Sequence, residues 1–337
     1  VDWLSGQPVK NAEATSGEDV AQSDEEGRII LTVGELSSET TADISAEGYR
    51  KETFNLDELN QGETIIKMVV AKKHTFVSNR SGEYDLYKID VDGTNEEVLL
   101  PASSKEREVP FVLSHPTKDV VAYISSRDGD VNSGNFVLDG LFIIDAINGE
   151  TYKVTRSEQI QLIGWSDNKL IYVAVIEGVS AGNSQRSKLI SYDLDTKERV
   201  ELASSNYFND VKLINKTVYF AVSSYAVPQS QAKLFSIDTD GKNKKTLVEE
   251  QVWSIIRKDY TNLQFSAVDL RWYEQEISGE VKKLDVAPVT RTSRSYSVSP
   301  SGEKAVWVDI RDGKGVLLLY DTVQKTESVI LTKSGLG

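Results

Sequence analysis

The sequence predicts an all-β chain: a small antiparallel sandwich over residues 1–71, then a β-propeller of about six four-stranded blades over residues 72–337. Two observations carry this. A phrase made of an apolar residue, an aromatic or aliphatic one, two more residues and an acid recurs as Leu86-Tyr87-Lys88-Ile89-Asp90, Leu141 to Asp145, Leu189 to Asp193, Leu234 to Asp238 and Leu317 to Asp321. Its aspartates lie 55, 48, 45 and 83 residues apart, and the long interval holds a degenerate copy, Trp272-Tyr273-Glu274-Gln275-Glu276. Four short strands and their turns need about that period. Residues 1–71 lack the phrase and instead show brief alternating stretches between glycine-containing turns.

In the first segment, Ile29 to Val33 and Ala42 to Ala46 alternate as half-buried strands do, and Asp24 to Gly27 and Glu47-Gly48 supply reversals. Thr64 to Val70 is expected to be the closing strand. The stretches Gly6-Gln7-Pro8-Val9 with Ala12 and Ala14, Ser23 to Leu31, and Ser45 to Tyr49 resemble the carboxypeptidase regulatory-like domain. That resemblance implies an Ig-like spacer of exported and surface proteins, without catalytic residues.

From residue 72 each unit is expected to run strand, reversal, strand, phrase, hairpin, strand. Blade two would comprise Val109 to Leu113, Val120 to Ile124, Leu141 to Asp145 and Thr151 to Thr155. Asp92-Gly93, Asn148-Gly149 and Asp240-Gly241 close the hairpins after the phrase, where glycine accepts a positive φ. The stretches Phe76 to Gly82, Tyr84 to Gly93, Ser125 to Gly129 and Ser299 to Lys304 resemble the WD40-like propeller repeats of the TolB type. Propellers of that kind occur in periplasmic interaction proteins and as front domains of prolyl-oligopeptidase-type peptidases. Blade five, near residues 251–286, departs most from the pattern. Blade one shows no first strand before Phe76. A tail strand from Thr332 to Gly337, or a longer parent chain, is favoured over a double role for Ile65 to Val70.

Composition narrows the partners. There are 38 basic and 52 acidic residues, a formal charge of -14, and no basic stripe, so nucleic acid and anionic membrane are not expected to bind. With no cysteine, disulfides and thiolate chemistry are excluded. No apolar run reaches a membrane span and no signal peptide is present. The start at Val1 reads as a removed export segment or a fragment, which leaves room for a membrane anchor outside this chain.

Gly178-Val179-Ser180-Ala181-Gly182 matches the nucleophile elbow. It falls in a loop before strand phrase, and both histidines, His74 and His115, precede it. The histidines are too far apart for a zinc site and read as exposed turn residues. Calcium is the metal expectation, held by Asp128, Asp130, Asn132 and Asp139 as alternate oxygen ligands of an acidic loop, although EF-hand spacing is broken. A solvated turn-rich loop is the other reading of the same residues. Arg80, Arg127 and Arg311 share one repeat position after the second strand. They would bind an anionic or carboxylate ligand if they converge, and pair with their own neighbours if they do not. The loops between second and third strands are long in blades two, three and four, spanning 126–140, 176–188 and 223–233, and lie on one face. Tyr225, Val227 and Pro228 give that face apolar character.

The function expected from this is a non-enzymatic exported or cell-surface protein that recognises protein or glycan at the cell envelope through that face, with no cofactor beyond calcium. The alternative is the accessory or catalytic part of a polymer-degrading hydrolase or lyase.

Overall fold

A computed structural model describes residues 1–34, 37–59, 63–106, 110–222, 232–257, 262–267, 272–276, 281–283, 296–299 and 303–333. It divides into two compact units, one of Val1–Asp130 with Asp139–Arg156, the other of Val131–Leu138 with Ser157–Gly337.

The first unit opens with β1 (Glu13–Ser16), β2 (Asp19–Gln22), β3 (Thr41–Ser45) and β4 (Glu52–Asn55), in the order β2-β1-β3-β4. Behind this sheet Val9, Ala12, Ala14, Ile44 and Met68 form a core, with Ile29, Leu31 and Ile66 packed on it. Two expected strands are corrected. Residues 29–33 form no ladder, and Thr64 to Val70 makes only isolated bridges, Asp2 to Met68 and Tyr49 to Val70. Alternation marks which side chains face inward, whereas a strand also needs a backbone partner.

Next come β5 (His74–Ser78), β6 (Asp85–Ile89) and β7 (Glu97–Leu100), a three-stranded sheet. The sheet after it holds β8 (Phe111–Ser114), β9 (Val120–Ser125), β10 (Asp139–Asp145) and β11 (Thr151–Ser157). Leu86 and Leu99 of one pack with Val121, Tyr123, Phe142 and Ile144 of the other, so the two sheets meet face to face.

The second unit repeats this plan in four sheets. They are β12 (Gln159–Ser166), β13 (Lys169–Val175), β14 (Ser187–Asp193) and β15 (Arg199–Ser205); then β16 (Phe208–Ile214), β17 (Thr217–Val222), β18 (Leu234–Asp238) and β19 (Lys245–Val248). The third holds β20 (Val252–Arg257), β21 (Asn262–Ala267), β22 (Trp272–Glu276) and β23 (Val281–Lys283), and the last β24 (Tyr296–Val298), β25 (Lys304–Arg311), β26 (Lys314–Asp321) and β27 (Thr326–Lys333). Each is an antiparallel meander, and β12, β16 and β20 stand side by side. The chain is an all-β protein with a β-propeller fold.

The phrase has a physical meaning. Its second residue faces an aromatic side chain on the preceding strand in all six sheets. The pairs are Phe76 with Tyr87, Tyr123 with Phe142, Tyr172 with Ile190, Phe220 with Phe235, Phe265 with Tyr273 and Trp307 with Leu318. Three of these pairs stack with centroids 5.6, 5.2 and 5.5 Å apart, at Phe76–Tyr87, Phe220–Phe235 and Phe265–Tyr273. The closing aspartate ties the hairpin that follows. Asp145 accepts from the backbone N–H of Ile147 and Asn148, Asp193 from Asp195 and Thr196, and Asp321 from Val323 and Gln324. Asp90 and Asp238 instead hold the amides of Asn95 and Asn243, each at 2.7 Å. Gly149 is required in its turn. Its φ is +78°, and a Cβ there would lie 2.7 Å from the Leu99 carbonyl oxygen.

Candidate functional site

In an antiparallel meander, the loop between second and third strands and the connection into the next sheet emerge at one end. In the second unit that end carries residues 176–186, Asn206-Tyr207, and the approach to β20 at Glu249 to Gln251. Tyr225 and Pro228, expected on this face from the sequence, lie outside the described residues.

The 176–186 loop is held from within. Arg186 donates Nη1 to the Val179 carbonyl oxygen and pairs through Nη2 with Glu158 at 3.1 Å, while Glu158 also accepts the Gly178 N–H at 3.2 Å. Ser180 of the elbow-like motif is therefore in a loop that leads into β14, and no strand-to-helix turn presents it. Lys188 pairs with Glu201 at 2.9 Å and Lys233 with Glu249.

Two rings at this end of the second unit face solvent. Tyr207 is 58% exposed and Trp253 46% exposed. Asn209 donates its side-chain amide to the Val252 carbonyl oxygen at 2.9 Å, and Asp210 accepts the Ile255 N–H at 2.8 Å, so β16 and β20 run in step. Tyr207 lies two residues before Asn209, and Trp253 follows Val252. Ser205 Oγ donates to the Tyr207 carbonyl oxygen at 3.0 Å and braces that turn. Trp253 sits where the β20–β21 pairing shifts register between Val252 and Ser254, a bulge that re-aims a side chain. Sequence reading passed over both rings. Their only signal is an aromatic beside the first buried residue of an inner strand, Phe208 or Val252.

The predicted arginines have separate partners. Arg80 lies over the Phe76 and Tyr87 rings, 5.2 and 4.5 Å from their centroids, and pairs with Glu96. Arg311 repeats the arrangement sixteen residues from its acid, pairing with Glu327 at 2.5 Å and with Asp309 at 3.4 Å. Arg127 donates Nη2 to the Pro101 carbonyl oxygen at 3.3 Å and buries Nη1 without a hydrogen-bond partner. In the acidic loop, Asp128 and Asp130 both meet Lys153, at 2.6 and 2.5 Å. The Lys153 hydrogen bond is the main cause that holds the Asp130 carboxyl below its ordinary value, although burial opposes it. Asn132 accepts the N–H groups of Gly134 and Phe136 in its own loop, and Asp139 opens β10. Among the described residues no three His, Asp or Glu side chains converge as a metal site.

The most enclosed carboxylate among the described residues is elsewhere. Asp90, with its side chain 1% exposed, accepts from Arg50 at 2.6 Å, Lys73 at 2.5 Å and Asn95. Arg50 also reaches Asp92 at 3.1 Å and Glu52 at 2.7 Å. This network fastens the N-terminal sheet to the first propeller hairpin. In the next sheet, burial and the neighbouring Glu106 push the Tyr123 hydroxyl up to about 12, so it serves as a donor and not as a base. His115 is corrected. It is buried at 1% exposure, and its Nδ1 accepts the N–H groups of Thr117 and Lys118.

No protein-family model matches the chain, and no curated protein sequence matches it. Solved structures do. An oligogalacturonate lyase in complex with manganese is 14% identical with a TM-score of 0.52, covering 77% of this chain and 74% of that one. The β-propeller domain of the Trilobed protease from Pyrococcus furiosus is 12% identical at 0.50, covering 78% of each. TolB from Acinetobacter baumannii is 15% identical at 0.48, covering 80% and 66%. The first two likenesses establish the propeller fold.

They also correct the expectation of a non-enzymatic binding or scaffold protein, with no enzyme activity. That expectation rested on taking the propeller as a scaffold and on finding no catalytic motif. An oligogalacturonate lyase is built on this same fold, and a site assembled from loops of several sheets leaves no contiguous motif. Among the described residues no helix is long and apolar enough to cross a membrane, which says nothing of strands.

Proposed function

We propose that the chain is the accessory or catalytic part of a polymer-degrading hydrolase or lyase. What supports this is the loop-bearing end of the second unit, with its internally braced 176–186 loop and the exposed rings of Tyr207 and Trp253. The polymer would be a glycan or protein of the cell envelope, and nucleic acid is disfavoured by the charge of -14. On this reading residues 1–71 are an Ig-like spacer ahead of the propeller of residues 72–337. The protein works outside the cytoplasm, with any membrane anchor lying beyond the present chain. Calcium in the Asp128–Asp139 loop belongs to the same reading, and it would have to draw Asp128 and Asp130 away from Lys153. So does an anionic ligand at any one of Arg80, Arg127 and Arg311, which at Arg80 would compete with Glu96 and at Arg311 with Glu327.

The test is incubation of the purified chain with a panel of polysaccharides and polypeptides. New reducing ends with an unsaturated product indicate a lyase, new ends without one a hydrolase, and retention on one polymer without cleavage an accessory part. Neither cleavage nor retention across the panel would overturn the proposal.

A further inference from the structure

The loop-bearing end of the second unit also points to a class of polymer. Resting on the function proposed above, we infer that Tyr207 and Trp253 form a stacking platform for the sugar rings of a neutral polysaccharide.

The charge pattern separates neutral from charged polymers. The described cations of the two flanking loops are Arg186, Lys188 and Lys233, and they are paired with Glu158, Glu201 and Glu249. Those pairs neutralise each other, so the described residues of the loops offer neither a cationic fork for carboxylates nor a bare acidic row for amines. At longer range the charge of -14 repels a polyanion. The two rings remain solvent-facing, at 58% and 46% exposure, one just before β16 and one in β20, strands held in step by the Asn209–Val252 and Asp210–Ile255 hydrogen bonds. A ring presented with one apolar face and a polar edge suits the flat C–H face of a pyranose, whose hydroxyls stay in water. The aromatic surface is thus placed where a chain of sugars could lie across two inner strands. The bulge at Trp253 and the braced turn at Tyr207 hold the backbone that carries both rings, which limits the entropy lost on binding.

The experiment is affinity electrophoresis of the full chain in gels containing a neutral β-glucan, a mannan, polygalacturonate or chitosan. Wild type is compared with Tyr207→Ala, Trp253→Ala and Trp253→Phe. Retardation by a neutral polymer is expected, about tenfold weaker for each alanine variant, which is about 1.4 kcal/mol. Trp253→Phe should retain most of it, and raising the salt should change little. Melting curves of the variants show whether they are folded, and Tyr207→Ala, at an exposed turn, carries the test if Trp253→Ala is not. Retardation only by polygalacturonate or only by chitosan would overturn the inference while leaving the proposed function standing. So would retardation by a neutral polymer that both alanine variants keep. No retardation and no cleavage by any polymer would overturn both.

Discussion

Asp90 shows how one repeat residue was given a second task. In three other hairpins the equivalent aspartate caps its own turn through backbone N–H groups, whereas Asp90 collects Arg50, Lys73 and Asn95. Burial acts to raise its pKa, and the hydrogen bonds from Lys73, Asn95 and Arg50 outweigh it, so the carboxyl lies below its ordinary 3.8. A depressed carboxylate stabilises the fold above the unfolded value of 3.8, and that contribution is lost as pH falls from there through the lower folded value. Asp90→Ala should therefore cost about 2–4 kcal/mol at neutral pH, since two cations lose a buried partner. In melting curves between about pH 6 and pH 3 the gap between wild type and variant should narrow at the acid end. A constant gap across that range would contradict the assignment. Arg50 lies forty residues upstream of Asp90, and nothing in the local pattern of either segment announces that they meet.

At the level of the strand, the aromatic pairs hold the propeller sheets. Phe220 is fully enclosed, stacks on Phe235 and meets Phe208 edge-on, with the Lys244 ammonium 5.6 Å above it. Phe220→Ala is expected to cost about 3–5 kcal/mol by denaturant unfolding, and Lys244→Ala under about 1 kcal/mol. Equal effects would mean that the cation, not the pair, does the holding. The aromatic register was present in the sequence at Phe76, Tyr123, Tyr172, Phe220, Phe265 and Trp307, and so were the hairpin glycines. The partner of the acidic loop was not. Lys153 comes from β11, and only pairing across the sheet brings it to Asp128 and Asp130. Two outcomes separate calcium from this ion pair. Added calcium should raise the melting temperature of Lys153→Met if the loop can take a cation, and unchanged melting in calcium and in chelator would rule that out. Trp253 was hidden for a related reason, because strict alternation does not locate a bulge.

For the molecule as a whole, the fold was readable and the function was not. A period set by strand length survives where sequence identity with solved propellers has fallen to 14% or 12%. A binding face survives only as a few side chains on loops. Loop lengths pointed to one end of the sheets and to Tyr225 and Pro228, which lie outside the described residues, whereas the described surface offers Tyr207 and Trp253. The central claim is that this end engages a polymer. Hydrogen–deuterium exchange of the full chain, with and without a polymer that it retains or cleaves, tests that most directly. Slowed exchange is expected across residues 176–188, 205–210 and 251–255. Slowing confined to the N-terminal sheet or to the hairpins at the opposite end of the strands would contradict it.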